Sequence, residues 1–264
     1  TFLNKNHYYY IQNTELFINY DKTSMHYKIY REDDILHEIL SKITHDKCLI
    51  PWKYKIKLNV IKLIKERNLF DCIPDTETIQ NVIRLLYPTI FNDKHSAKYF
   101  LTILGDIILR KNDTLLYLTN SGARNFIKFL SMKCYNFFGN VNIINNFKYK
   151  YHEQYVYKNI RLLNFSTPES IDTELSKNIL DLFCVAVHYS NRHFSADEYL
   201  SDIIDNNLIN YTFYLRDKTQ ETLVDNFTAN SLNKCNNTNI SFKNILYLWK
   251  LSLDEQLIDV LKIL

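Results

Sequence analysis

Between Glu32 and Ile108 the apolar residues return every three or four positions in four successive stripes, and this pattern constrains the fold more than any other feature. The first stripe is Ile35, Ile39, Leu40 and Ile43, and the second is Ile56, Val60, Ile61 and Ile64. Ile79, Val82, Ile83 and Leu86 form the third, and Tyr99, Phe100, Ile103, Leu104, Ile107 and Ile108 the fourth. Such spacing gathers side chains on one side of an α-helix. The punctuation agrees. Glu32-Asp33-Asp34 sets carboxylates at a helix N-terminus, where the dipole favours them. Pro51 and Pro74 open helices, Pro88 closes one, and Asn92-Asp93 caps the fourth. The connections are short, so neighbouring helices are expected to pack antiparallel.

The flanks read differently. Tyr8–Ile11, Leu16–Tyr20 and Tyr27–Tyr30 are short, aromatic and β-branched, with turn residues at Asn13-Thr14 and Asp21–Ser24, which predicts a small hairpin or meander. Leu115–Leu118 reads as another strand. Ser121 is positioned to cap a helix carrying Phe126, Ile127, Leu130 and Cys134. Residues 139–149 are Asn-rich and irregular, and residues 147–161 alternate aromatic and basic side chains at strand period. Thr167-Pro168-Glu169 is expected to open a second helical half. Its main helix, about 172–190, is apolar nearly all round, as in a helix at the centre of a domain. Ser195–Glu198 has the form of a capping box, and Asp217–Gln220 and Ser241 look like further helix starts.

The expected class is α-rich α+β: an N-terminal β-hairpin, a helical bundle and a second, mostly helical domain. The corresponding division is 1–31 (hairpin or meander), 32–138 (first helical domain), 139–166 (aromatic-basic connector) and 167–264 (second helical domain). Thr1 at the start and the apolar stretch at the end both read as cut ends.

Composition sets limits on function. With 46% hydrophobic and 14% aromatic residues, the chain has enough apolar material to order itself. The three glycines, at 105, 122 and 139, cannot build a glycine phosphate loop, which removes nucleotide-triphosphatase, kinase and dinucleotide-binding readings. Neither H-E-x-x-H nor G-x-S-x-G occurs. Five cysteines (48, 72, 134, 184, 235) show no C-x-x-C pair and are read as reduced, small apolar residues. His188, His193, Asp197 and Glu198 fit no familiar metal spacing and are read as a polar, helix-ending turn. No catalytic residue, metal ligand or cofactor is assigned. An enzyme would be expected to show a deep pocket lined by several of Asp106, His152, His188 and Asp197. No signal peptide opens the chain and no apolar run could span a bilayer, so an intracellular protein without a membrane partner is expected.

Two segments carry what chemistry there is. Residues 52–67 hold six cations and one acid, with Lys53, Lys55 and Lys57 beside Trp52 and Tyr54. If the segment is one helix, the apolar stripe is buried and the lysines fan over the remaining surface, available to phosphates. In the second, Phe147, Tyr149 and Tyr151 would share one face of a strand, with Lys148, Lys150 and His152 on the other and Arg161 downstream. Aromatic faces stack on unpaired bases while cations track a backbone. For both segments an ordinary reading stands beside this one: solvated lysines over a buried apolar face. The net charge of +3 neither demands nor forbids a polyanion partner.

Five stretches, taken in order, resemble a family of uncharacterised proteins of giant, mimivirus-like DNA viruses. They are TIQNVIRLLYPTIF (78–91), KYFLTILGD (98–106), FKYKYH (147–152), LDLFCVAVHYS (180–190) and ISFKNILYLWK (240–250). The wealth of Phe, Tyr, Ile, Asn and Lys, all with A/T-rich codons, is in keeping with such a genome. The resemblance implies a host-cytoplasmic virus factory or the virion as location, and supplies no catalytic residues. The resulting expectation is a non-enzymatic module that binds single-stranded RNA or DNA in viral replication, transcription or mRNA handling. Its contact residues are Lys53, Lys55, Lys57, Lys148, Tyr149, Lys150, Tyr151 and Arg161. The alternative is a helical scaffold, of helical-repeat type or otherwise, that binds another viral protein; an enzyme of unassigned reaction comes third.

Overall fold

The N-terminal strands carry apolar side chains on both faces, and the fold uses both. A short helix α1 (Phe2–Lys5) leads into β1 (His7–Ile11), β2 (Leu16–Asp21) and β3 (His26–Tyr30), an antiparallel meander in the order β1-β2-β3. This is a computed structural model, and it describes residues 2–45, 48–112, 114–150, 152, 154–166, 173–233 and 239–255. The second turn is held by Asp21, whose carboxylate accepts from the Thr23 N–H at 2.9 Å, the Ser24 hydroxyl at 2.7 Å and Lys28 Nζ at 2.7 Å.

Side chains alternate across a strand, and this sorts the meander between two cores. Tyr8 and Phe17 join Ile35, Ile39 and Ile43 of α2 (Glu32–Thr44) and Ile61 and Ile64 of α3 (Lys53–Lys65) in an outer core. Ile11, Ile18, Tyr20 and Tyr27 face the other way, into the central core.

That central core is built on two helices buried almost all round. After α4 (Thr76–Leu86) comes α5 (Lys94–Ile108), capped by Asp93, whose side chain accepts from the Ser96 N–H. Beyond β4 (Leu116–Thr119), α6 (Arg124–Phe138), β5 (Phe147–Lys148), β6 (Ile160–Leu163) and α7 (Thr173–Lys177) comes α8 (Ile179–His193). Helix α5 lies against α8 at Gly105, where a Cβ would overlap the carbonyl oxygen of Ala186 and stand 2.7 Å from Ser190 Cβ. Only glycine permits so close a crossing. Phe91, Phe100, Phe126 and Phe165 cluster beside it with ring centroids 4.9–6.1 Å apart.

A second small sheet also packs against the central core. Its three strands are parallel, in the order β5-β4-β6, with Tyr117 opposite Phe147 and Arg161, and Leu118 opposite Lys148 and Leu162. Tyr117 and Phe147 face the central core. Leu118, Ile160 and Leu162 face a third core with Leu215, Leu223, Phe227 and Trp249. The last two belong to α11 (Gln220–Ser231) and α12 (Phe242–Glu255), which follow α9 (Ala196–Asp202) and α10 (Asn206–Thr212).

The α-rich α+β class is therefore what the chain adopts, with several corrections inside it. The central core takes Ile18, Phe100, Phe147 and Phe183, one from each of the segments 1–31, 32–138, 139–166 and 167–264. The connector contributes to this core, and the segment 32–138 is shared among all three cores, with Ile35 in the outer, Phe100 in the central and Leu118 in the third. Asn120, not Ser121, caps the turn before α6, its side chain accepting from the Ala123 N–H. Thr219 caps α11. The expected long helix at 172–190 is broken at Asn178 into α7 and α8. Thr167-Pro168-Glu169 lies outside the described residues. No helix among the described residues is long and apolar enough to cross a membrane.

Candidate nucleic-acid interface

Residues 53–65 form the helix that the apolar stripe requires, one residue later and two shorter at its end than the basic segment 52–67. A 3₁₀ turn at Ile50–Trp52, with Pro51 inside it, delivers the chain into α3. Ile61 and Ile64 are buried, Ile56 and Val60 half-buried, and these four hold the helix on α2 and the meander. Away from that contact the surface is both aromatic and basic. Trp52 is 57% exposed and Tyr54 80% exposed, with Leu58 also in solvent. Lys55 is exposed, with Nζ 5.8 Å from the Trp52 ring centre, and Lys53 and Lys57 are half-buried. Among the described residues Lys53, Lys55 and Lys57 have no carboxylate within salt-bridge distance. Further along, Lys62 lies 3.9 Å from Glu66 and Lys65 3.7 Å from Glu32. The N-terminal half of α3 thus carries three cations, one exposed and two half-buried, with no acid at salt-bridge distance among the described residues and an exposed ring before and between them.

The second segment is organised in another way. The strand ends at Lys148, so the predicted alternation of faces across 147–152 is not realised. Tyr149 is half-buried against the central core, with the Arg124 guanidinium 5.1 Å above its ring centre. Its hydroxyl is buried without a hydrogen-bond partner among the described residues, and burial pushes the phenol above its usual range. One face of the ring that was expected to stack on a base is therefore covered by a cation of the protein. Lys148 is half-buried and Lys150 exposed. Tyr151 lies outside the described residues.

Arg161 is the plainest correction. Its side chain is 6% exposed and forks onto Asp197, with Nε donating to Oδ1 at 3.0 Å and Nη2 to Oδ2 at 2.7 Å. Nη1 donates to the carbonyls of Lys158 and Ile160, and the guanidinium stands 5.0 Å from the Phe213 ring centre. The group is committed to the fold, since any contact with a phosphate would have to break this pairing. Asp197 opens α9, so the pair ties the second sheet to the helix after α8.

The remaining buried polar groups have the same structural character. Asp106 accepts from the Ser190 hydroxyl at 2.5 Å and from the Ala196 N–H at 2.7 Å, joining α5 to both α8 and α9. Burial pushes its carboxyl above the usual carboxylate range, against the pull of those two hydrogen bonds. Lys111 donates to the carbonyls of Ser190 and Phe194 at the end of α8. Asp181 takes the Tyr27 N–H at 2.7 Å and pairs with His26 Nδ1. Cavities of about 380, 300 and 470 Å³ open on the surface, and none is lined by Asp106, His152, His188 or Asp197. Among the described residues no three His, Cys, Asp or Glu side chains converge on a point that could hold a metal. Cys72, Cys134 and Cys184 are buried free thiols, and Cys48 is exposed.

Of the expected contact residues, the structure brings Lys53, Lys55 and Lys57 together on one helix, and leaves Lys148 in the second sheet and Lys150 two residues beyond its strand. Trp52 and Tyr54 were not among the expected contacts. The signal for them was present in the sequence, because aromatics interleaved with lysines outside an apolar helical stripe have no core to enter. Comparison of the chain with known protein families, with characterised proteins and with solved structures finds no match.

Proposed function

We propose that this chain is a non-enzymatic nucleic-acid-binding module that engages single-stranded RNA or DNA through the N-terminal half of α3. One observation carries the reading: Trp52 and Tyr54 are exposed beside Lys53, Lys55 and Lys57, which have no acidic partner among the described residues. Exposed rings serve any base as a stacking surface while cations hold the phosphates, so preference for unpaired strands comes with little preference for sequence. The resemblance to giant-virus proteins supports a place in viral replication, transcription or mRNA handling, in a cytoplasmic virus factory or the virion.

The test is fluorescence anisotropy of the chain with labelled single- and double-stranded RNA and DNA across a salt series. Single strands are expected to bind more tightly, with affinity falling steeply as salt rises. Replacing Lys53, Lys55 and Lys57 together by Glu should abolish binding at low salt. Replacing them by Ala should flatten the salt slope by about 2, the share of three phosphate contacts on a single strand. Binding that ignores salt, or that survives the triple Glu variant, would sink the reading.

A scaffold that binds another viral protein is the second reading. Ile50 and Leu58, large apolar side chains left in solvent around the same helix, support it. Retention of a viral protein by a column of the wild-type chain, lost with Ile50→Ser and Leu58→Ser while RNA binding persists, is the expected result for that reading. Retention unchanged by the two substitutions would count against it.

A further inference from the structure

The other long side of α3 borders a cavity that the nucleic-acid reading does not use. It lies where α1, α2 and α3 meet, with a volume of about 470 Å³. That is within the roughly 300–1,000 Å³ of small-molecule sites. Its walls are Phe2, Ile39, Ile43, Leu49, Ile56 and Val60, and the remaining two lining residues are Lys5 and Lys42. No acidic side chain lines it among the described residues. Lys42 holds its ammonium 4.5 Å from the Phe2 ring centre, and both lysines are exposed, with no carboxylate at salt-bridge distance among the described residues.

An apolar trough with cations alone at its polar positions complements one kind of molecule: an aliphatic chain ending in an anion. We propose that this groove binds a long-chain carboxylate of the fatty-acid class, its hydrocarbon tail between Ile39, Ile43, Ile56 and Val60 and its carboxylate between Lys5 and Lys42. The tail displaces water from apolar walls, and each buried methylene strengthens binding by roughly fourfold. The head gains from two ammonium groups, which lack a protein counter-charge among the described residues. An acidic amphipathic peptide offers the same charge but is a larger partner. The bounded volume and the pairing of one apolar trough with one cationic end favour the small amphiphile.

Isothermal titration calorimetry of the chain with octanoate, decanoate and dodecanoate below their aggregation concentrations tests this. Affinity should rise about 15-fold for each two-carbon step, the square of the per-methylene factor, until the groove is full. Dodecanol should bind at least tenfold more weakly than dodecanoate. In the double variant Lys5→Glu, Lys42→Glu the order should reverse, because two carboxylates repel the anionic head while dodecanol still enters the apolar trough. Val60→Trp, which fills the trough, should remove dodecanoate binding. If that variant does not fold, the charge-reversal pair still decides. Absence of dodecanoate binding, affinity independent of chain length, or binding of an acidic helical peptide but no alkyl carboxylate would each overturn the proposal. Unchanged dodecanoate affinity in the charge-reversal variant would overturn it as well.

Discussion

Segments 52–67 and 147–161 are built from the same materials, Lys and Tyr with a few β-branched residues, yet the fold treats them oppositely. In the first, Ile56, Val60, Ile61 and Ile64 recur at helical spacing and anchor one side of α3, which leaves Trp52, Tyr54 and Lys55 facing out and Lys53 and Lys57 half-buried beside the stripe. In the second no such stripe exists. The chain is drawn piecewise into other elements: Phe147 into the central core, Tyr149 beneath Arg124, Ile160 and Leu162 into the third core, and Arg161 onto Asp197. What separates them is whether the segment has its own apolar anchor. An anchored helix can spare its aromatic and basic groups, whereas an unanchored segment uses them to attach itself.

The largest effect expected from breaking this contrast is on stability. Arg161→Ala leaves Asp197 and two carbonyls without their donor and should cost about 3 kcal/mol, the range for removing one partner of a buried ion pair. Urea denaturation measures this, and RNA affinity per folded molecule should stay the same. A loss of affinity instead would restore Arg161 to the interface. Next comes the pair Trp52→Ala, Tyr54→Ala. Each ring that stacks on a base is worth about 1–3 kcal/mol of binding, while two exposed side chains should change stability by no more than about 0.5 kcal/mol each. Equal losses for single and double strands would show that the rings do not stack.

Arg124→Ala sharpens the contrast from the other side. It uncovers the Tyr149 ring and removes a cation–π contact worth about 0.5–1 kcal/mol, visible as a small fall in melting temperature. The smallest effect belongs to Lys148→Ala with Lys150→Ala, which should alter RNA affinity less than about twofold, the scale of ordinary surface substitutions. A tenfold loss there would mean that the second sheet, and not α3, carries the interface.

What could be read in the sequence was whatever depends on neighbours a few residues away. Ile35, Ile39 and Ile43 announce α2 because helical spacing is local, and Asp93 announces the start of α5 because a cap acts within three residues. The meander was legible for the same reason, its strands joined by short turns with Asp21 at one of them. The parallel sheet was not. Strand β5 is two residues long and acquires its identity only by pairing Phe147 with Tyr117, thirty positions earlier. Arg161 was misjudged because its partner Asp197 is 36 residues on, and nothing local distinguishes a buried arginine from a free one. The three lysines of α3 stand out by charge alone, whereas the exposure of Trp52 and Tyr54 becomes known only once the stripe is placed.

The crossing of α5 on α8 at Gly105 also has a consequence in time. Helix α5 is complete at Ile108, but the helix it must lie against ends at His193, 85 residues later. At about 5–20 residues per second, a ribosome needs roughly 4–17 s to deliver that partner. For this interval Phe100, Ile103 and Leu104 have no α8 to cover them, and the nascent chain is a natural client for a holding chaperone. The crossing at Gly105, too close for a Cβ, thus becomes possible only late in the synthesis of the central core.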